Sequence, residues 1–296
     1  MILAIAHAVS FEAETIVSIG ELQVPEAPPT RSAYRSGWAR RVRVIALNTF
    51  RESVRDRVLY NLILFVLILV AASVFVSDLS LDMESQFTAA LGLSVMLVFG
   101  ALIAIFIGVG LVYKEIDKRT IYNLLSKPVR REEFIIGKYF GLCMTLFVNS
   151  TVMVVGTELA LLYVNRGFVP LQLAVLPAAS LIYLELTLLV GVALMFSSFT
   201  TPMLAALFSF AVYVIGHFSK DLLVMAALST STTTRVLLTT LYYVLPNLSN
   251  FGFISEASHG RIVPLTMAVP ATVYAIVYIG ILLSAAGLIF RKRNFK

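Results

Sequence analysis

Residues 88–112 read TAALGLSVMLVFGALIAIFIGVGLV and contain no charged side chain. A helix of about 20 apolar residues crosses a hydrocarbon layer about 30 Å thick, so this stretch alone predicts a transmembrane helix. The whole chain agrees with it, because 59% of its 296 residues are hydrophobic and only 14% are charged. Soluble domains contain about 45–50% apolar and about 25% charged residues. The composition is therefore that of an integral membrane protein.

Five further apolar stretches are long enough to cross a membrane as helices. Together with the first they predict an all-α, polytopic membrane protein with about six transmembrane helices. The fifth begins at Pro202, a residue that suits the first turn of a helix. We also expect a short helix at 235–245 that lies on the outer leaflet or re-enters it. The predicted spans are residues 58–76, 88–112, 139–164, 171–196, 202–218 and 263–290.

The positions of lysine and arginine predict the orientation of these spans, because basic flanks stay on the cytoplasmic side. If both chain ends are cytoplasmic, residues 1–57, the loop 113–139 and the C-terminal tail hold 19 of the 23 basic residues. The opposite orientation would invert this distribution. We therefore expect both termini in the cytoplasm and the chain in the cell (inner, cytoplasmic) membrane. The net charge of +6 then reflects flanks that meet anionic lipid, and it indicates no nucleic-acid partner.

Two segments precede the first predicted span. Residues 1–37 have a mixed composition with the proline-rich sequence PEAPP, and we expect a flexible N-terminal extension. Residues 38–57 have a helical period and predict an amphipathic helix at the membrane surface. The alternative is a helix packed on a soluble partner. The residues predicted on its apolar face are Val42, Ala46, Leu47, Phe50 and Val54.

The long polar loop 113–138 joins the second and third spans. It reads as a helix from Glu115 to Leu125, a break at Pro128, and a second helix that leads into the third span. Leu124 and Leu125 give the first helix an apolar edge among charged residues. Such an edge predicts docking of a cytoplasmic partner. The alternative is that the loop folds onto the surface helix of its own chain.

Residues 114–141, KEIDKRTIYNLLSKPVRREEFIIGKYFG, resemble the cytoplasmic loop of ABC transporter permeases of the type-2 exporter class. The family pattern is an acidic residue, a run E-x-G-T-L-x-x-L-L-S-x-P-I-S-R, an aromatic residue and Gly-Lys. ALNTFRESVRDR resembles its amphipathic connecting helix, LPNLSNFGF the loop before its last span, and FRKRNF its C-terminal end. The resemblance covers about residues 38–296. The matching loop residues are Glu115, Thr120, Leu124, Leu125, Ser126, Pro128, Arg130 or Arg131, Glu133, Phe134, Gly137 and Lys138.

The loop departs from the family pattern at two places. Arg119 stands where a small residue usually precedes Thr120. Val129-Arg130 replaces a hydrophobic-Ser pair and so removes the residue expected to cap the second helix. We therefore expect the local docking geometry to differ from that of the family.

The resemblance implies a permease subunit of an ATP-driven ABC exporter. No G-x-x-x-x-G-K-[ST] motif occurs in this sequence, so ATP and Mg²⁺ are expected on a separate ATP-binding subunit, with no cofactor and no ATPase activity on this chain. The complex would contain two permease chains, as a homodimer or a heterodimer, and two ATP-binding subunits. The residues that the resemblance assigns to ATPase docking are Glu115, Asp117, Lys118, Arg119, Thr120, Leu124, Leu125, Ser126, Pro128, Arg130, Arg131 and Phe134.

Two glutamates within the predicted spans are candidates for the translocation pathway. Glu185 lies in the middle of the fourth span, and Glu158 lies toward the outer end of the third. A charged side chain at the bilayer centre costs about 3 kcal/mol on insertion scales, so each should face a partner, water or a cavity. The alternative for Glu185 is a neutral, hydrogen-bonded structural role, and the alternative for Glu158 is a position near the interface.

Small residues four positions apart recur in two predicted spans. They are Gly100, Ala104 and Gly108 in the second span, and Gly137 with Gly141 at the start of the third. This spacing predicts close helix packing.

Two other classes of function are alternatives, a non-catalytic membrane anchor of a cytoplasmic complex and a membrane-embedded enzyme. An embedded hydrolase needs a nucleophile with its base or a metal constellation. The three histidines are scattered, Cys143 is the only cysteine, and no H-E-x-x-H or G-x-S-x-G motif occurs in the sequence. The enzyme is therefore the less favoured of the two alternatives.

Overall fold

The computed structural model describes residues 37–55, 68, 83–117 and 131–292, and the regular structure in these ranges is helical. Residues 41–296 form one compact unit, to which the packing below belongs, and residues 1–40 form another. The helices are α1 (Trp38–Arg55), α2 (Glu84–Asp117), α3 (Arg131–Val164), α4 (Leu171–Ser197), α5 (Pro202–His217), α6 (Ser219–Leu228), α7 (Thr232–Val244), α8 (Ile254–Ser258) and α9 (Leu265–Lys292), with a 3₁₀ turn at Leu248–Phe251.

Four of these helices, α2, α3, α4 and α9, are long and apolar enough to cross a membrane. They correspond to the predicted second, third, fourth and sixth spans, and they confirm an all-α, polytopic membrane protein. α3 already begins at Arg131, where the second helix of the loop was expected to lead into the span. The predicted first span, 58–76, lies outside the described residues apart from Ile68, and the predicted extension 1–37 lies outside them apart from Gly37.

The fifth predicted span ends at a bend between two helices. α5 has 16 residues, and α6 continues from it at an angle of 66°. Sixteen residues of helix measure about 24 Å, which is short of a hydrocarbon core of about 30 Å. The predicted span 202–218 thus corresponds to α5, and its predicted end, Phe218, lies at the bend. The short helix predicted at 235–245 is present as α7.

α4 is the helix around which the others pack. It contacts α2, α3, α5 and α9. Of its most apolar 18 residues 72% are buried, against 28% for α9. An apolar surface on all sides is typical of a helix with protein neighbours on all sides, and α4 is accordingly the centre of the bundle.

Glycines allow α2 to approach α4 closely. A side chain at Gly100 would overlap Leu186, and a Cβ atom at Gly108 would lie 3.2 Å from the Cβ atom of Ala193. Ala104, between them, is 1% exposed. Helices in lipid associate largely through such close packing, because lipid tails are as apolar as the helices themselves. The small-residue packing predicted for this helix is confirmed.

The predicted glycine pair at the start of α3 meets α1. A Cβ atom at Gly141 would lie 2.6 Å from the carbonyl oxygen of Ala46, and one at Gly137 would lie 2.6 Å from Cγ2 of Ile45. α1 therefore rests directly on the backbone of α3 at these two positions.

The buried stripe of α1 differs in part from its predicted apolar face. Val42 and Ala46 are buried as expected, and Leu47 and Phe50 are half-buried. Val54 is 40% exposed. The close approach to the glycines of α3 admits only short side chains, which is why threonine and serine complete the stripe. It consists of Val42, Ala46, Thr49 and Ser53.

The 3₁₀ turn Leu248–Phe251 packs beneath the end of α5. A Cβ atom at Gly216 would lie 2.7 Å from Cγ of Leu248, so glycine is needed where the turn crosses the helix. The backbone N–H of Asn247 donates to the hydroxyl of Tyr274 at 2.8 Å. The turn is thus held between α5 and α9.

Replacement of Gly141 by alanine should destabilise the protein. The added methyl group would collide with the backbone of α1, and overpacking of this kind costs about 1–3 kcal/mol. We expect a lower thermal midpoint for G141A in detergent. The measurement uses a thiol-reactive dye, because Cys143 is the only cysteine in the chain and is buried.

Gly280 provides the matched control. It lies within α9, and no atom lies within 4 Å of the position that its Cβ would take. G280A should therefore melt at or above the wild-type midpoint. A G141A variant that melts like wild type would contradict the close contact of α1 with α3.

Candidate functional site

One cluster of polar and aromatic side chains lies where α1 and α9 both contact the start of α3. The ring of Phe134 stacks on Phe290 with a centroid distance of 6.0 Å, and both rings are buried. The same turn of α3 carries the charged residues that face α1. We call this the α1–α3–α9 junction, and its residues are Arg41, Glu52, Glu133, Phe134, Lys138 and Phe290.

A two-pronged ion pair connects α1 with α3 in the junction. Arg41 Nε donates to Oε2 of Glu133 at 2.9 Å, and Nη2 donates to Oε1 at 2.7 Å. The side chain of Glu133 is 1% exposed. Two parallel charge-assisted bonds determine direction as well as distance. The hydrogen bond to Glu133 also raises the pKa of Arg41 above its ordinary value, so the guanidinium keeps its charge.

Lys138 makes a second connection between the same helices. Its side chain is 1% exposed, and Nζ lies 3.8 Å from Oε2 of Glu52 on α1. Nζ also lies 5.7 Å from the centre of the Phe134 ring. An ammonium group inside a protein needs such neighbours, because an isolated buried charge is costly. Charge and packing therefore join α1 and α3 at the same place.

The junction lies next to the loop that is predicted to dock an ATPase. Glu115 and Asp117 are in the last turns of α2, and Arg131 is the first residue of α3. Phe134 is buried against Phe290, so its ring contributes to the packing of its own chain. The other predicted docking residues lie outside the described part of the chain, and their docking role stays a prediction. They are Lys118, Arg119, Thr120, Leu124, Leu125, Ser126, Pro128 and Arg130.

A second cluster lies inside the bundle around Glu185. This side chain, in the middle of α4, is 1% exposed, and its Oε1 lies 3.3 Å from Nε2 of His217 at the end of α5. Within the described residues neither carboxyl oxygen has a well-aligned hydrogen-bond donor. His217 is 29% exposed, and its ring centre lies 4.7 Å from that of Tyr213. The structure thus gives the predicted buried glutamate a histidine neighbour.

Glu158 lies at a different level of the bundle. It is half-buried near the end of α3, and its carbonyl oxygen accepts a hydrogen bond from Nε2 of Gln172 at 3.3 Å. Gln172 precedes Glu185 by 13 residues on α4, which is about 20 Å along a helix axis. The structure does not bring the two predicted glutamates together.

The contact between Glu185 and His217 could have been predicted from the number of residues that separates each of them from the turn between α4 and α5. Glu185 lies 13 residues before Ser198, and His217 lies 16 residues after Thr201. The two side chains are therefore about 20 Å and about 24 Å from the turn along antiparallel helices. No local motif links them, since they are 32 residues apart.

The sequence contains no comparable pattern that would predict the ion pair of the junction. Arg41 and Glu133 are 92 residues apart. Both belong to segments that are predicted to lie on the cytoplasmic side, but nothing in the sequence selects this arginine among its neighbours.

Comparison with known protein families identifies the family of this chain. Residues 43–293 match a family described as ABC-2 family transporter protein. The range includes Glu185, His217 and the whole junction except Arg41. Comparison with curated proteins finds no match. Because the family match extends over 251 of the 296 residues, the chain belongs to the ABC-2 family of transporter proteins and is a multi-pass membrane permease.

Proposed function

We propose that this chain is the membrane-spanning subunit of an ATP-driven ABC exporter in the cytoplasmic (inner) membrane. The match of residues 43–293 to the ABC-2 transporter family carries the proposal. Export is supported by the resemblance of residues 114–141 to the loop of type-2 exporters. ATP and Mg²⁺ bind to a separate ATP-binding subunit, and ATP hydrolysis takes place there.

The ATP-binding subunit docks on the loop 113–138, with the short helix around residues 119–125 in a groove on its surface. This loop joins the ends of α2 and α3 directly. Closure of two ATP-binding subunits therefore displaces both helices and switches the pathway between inward and outward access. ATP can drive this switch only by the difference in its affinity for the two states.

The junction extends such a displacement to α1. Arg41 and Glu52 are on α1, and their partners Glu133 and Lys138 lie within the first eight residues of α3. Gly137 lies between these partners, and a Cβ atom there would lie 3.2 Å from the carbonyl oxygen of Val42 on α1. A segment held by two charged contacts and a backbone contact moves with its neighbour. We infer that α1 and the start of α3 respond to the docked ATPase as one body.

Two leucines of the loop provide the direct test of docking. The double variant L124D/L125D places two carboxylates on the apolar edge of the short helix. We expect the amount of ATP-binding subunit that co-purifies with the tagged chain in mild detergent to fall by at least about ten-fold, because central apolar contacts dominate binding energy. Partner recovery is measured by mass spectrometry and by ATP hydrolysis in the eluate.

The conservative variant L124M/L125M is the matched control, and it should retain the ATPase because it keeps the edge apolar. Equal ATPase recovery from L124D/L125D and wild type would contradict the docking assignment. A wild-type chain that purifies without any ATP-binding subunit would contradict the proposed function itself. It would favour the membrane anchor, or an embedded enzyme if the chain alone turned over a substrate.

Pairing of permease chains is tested in the same preparation with two differently tagged copies. The complex contains two permeases on the proposed architecture, so a second permease chain must be present. Recovery of both tags in one complex identifies a homodimer, and recovery of one tag with a different permease identifies a heterodimer. A single permease chain per complex would contradict the proposed stoichiometry.

The ion pair of the junction gives a further prediction. R41Q and E133Q should each lower the thermal midpoint reported by Cys143 and weaken retention of the ATPase during washing. The double variant R41Q/E133Q should be no worse than the more severe single variant, because each single change already removes the same contact.

Arg43 is the control for these variants, since it lies on the same helix and is exposed. R43Q should behave like wild type in both measurements. Fully additive effects of R41Q and E133Q would show that the two residues act separately, contrary to the role of the junction.

A further inference from the structure

The hydrogen bonds of His217 determine which of its ring nitrogens faces Glu185. Nδ1 lies 3.2 Å from the carbonyl oxygen of Tyr213. A carbonyl oxygen can only accept a hydrogen bond, so Nδ1 carries a hydrogen. In a neutral imidazole the other nitrogen then has a bare lone pair. That nitrogen is Nε2, the atom that lies 3.3 Å from Oε1 of Glu185.

These two atoms attract each other only when a proton lies between them. A bare Nε2 and an ionised carboxylate would present two lone pairs to each other. Glu185 is 1% exposed, and the described residues offer its oxygens no well-aligned donor. An isolated carboxylate in such surroundings is strongly disfavoured. A proton must therefore accompany it.

The number of protons that Glu185 and His217 share follows from the net charge of the pair. With no proton between the two groups the pair is a buried anion, and with two it is a buried cation. With one proton the net charge is zero, whether Glu185 is a neutral acid that donates to Nε2 or His217 is an imidazolium beside a carboxylate. Burial favours the state without net charge.

We propose that Glu185 and His217 form a proton-binding site inside the membrane, in which one proton held between Oε1 and Nε2 joins α4 to α5. The site stands independently of the proposed transport function. His217 is 29% exposed and Glu185 is 1% exposed. The proton therefore enters and leaves through the histidine.

Few other ionisable groups lie near this site. Tyr213 is the neighbour of both residues, and a phenol is uncharged near neutral pH. Lys220 and Asp221 begin α6 beyond the bend and are exposed. Outside the α1–α3–α9 junction, the remaining ionisable residues of the membrane-spanning helices in the described part of the chain are Glu84, Tyr113, Lys114, Glu115 and Asp117 on α2, Arg131, Glu132, Tyr139, Cys143, Glu158 and Tyr163 on α3, Tyr183 on α4, and Tyr274, Tyr278, Arg291 and Lys292 on α9.

Two spectroscopic measurements on the full chain in lipid nanodiscs test the site. Labelling with ¹⁵N-histidine yields signals from only three residues, and H217Q identifies that of His217. Infrared spectroscopy detects the C=O stretch of a protonated carboxyl group, and E185Q identifies the contribution of Glu185. Both are recorded between about pH 5 and pH 8, where an ordinary histidine changes charge.

We expect one proton on the pair throughout this range. In one form, the C=O band of the protonated carboxyl group is present and disappears in E185Q, and His217 is neutral with its hydrogen on Nδ1. In the other form, His217 is protonated on both nitrogens and becomes neutral in E185Q. The glutamine of E185Q can still donate to Nε2, so this variant removes the proton site while it keeps the contact. E158Q is the matched control and should leave both signals unchanged.

Two results would overturn the proposal. One is a neutral His217 together with no acid band from Glu185 at the same pH. The other is a titration of His217 that is the same in wild type and in E185Q. If H217Q does not fold, H7Q and H259Q assign the signal by elimination, and the wild-type spectra alone then decide the outcome.

Discussion

The burial of α4 is the constraint on which the rest of the structure depends. Where a helix is buried among protein neighbours, those neighbours must fit it closely and must satisfy any polar group that it carries. α2 achieves the fit with Gly100 and Gly108. The polar requirement arises at Glu185, which is buried at the middle of the helix. α5 supplies a polar side chain next to it, His217.

The α1–α3–α9 junction and the Glu185–His217 pair stabilise buried charge in different ways. In the junction, Arg41 and Glu133 can both remain ionised, because their two hydrogen bonds match and the arginine is still 24% exposed. Around Glu185 no arginine or lysine is in contact among the described residues, and the basic neighbour is a weak base, His217. A carboxyl group beside a weak base in an apolar interior is stable as a neutral pair. The junction is therefore suited to a connection between charged helices, and the interior pair is suited to holding one proton.

The sequence was sufficient for the features that depend on composition and local pattern. Apolar length predicted the spans that became α2, α3, α4 and α9, and glycine spacing predicted the contacts of Gly100, Gly108, Gly137 and Gly141. It was insufficient where a contact between distant residues decides the outcome. The apolar pattern of α1 did not select Thr49 and Ser53, which are buried because the helix packs closely on the glycines of α3 and short side chains fit there. His217 was not paired with Glu185, because residues at equal depth in antiparallel helices have no common sequence motif.

The bend after α5 and the buried glutamate belong to one arrangement. A helix that ends within a bilayer leaves its last carbonyl groups without partners, and lipid provides none. Here the hydroxyl of Ser219 donates to the carbonyl of Gly216 at 2.6 Å. Nδ1 of His217, at the last residue of α5, donates to the carbonyl of Tyr213 one turn earlier in the same helix. The histidine is therefore already oriented by the end of its own helix, with its second nitrogen directed away from that helix. Because Nδ1 is occupied there, Nε2 is the atom left to face Glu185, which is the geometry that the proposed shared proton requires.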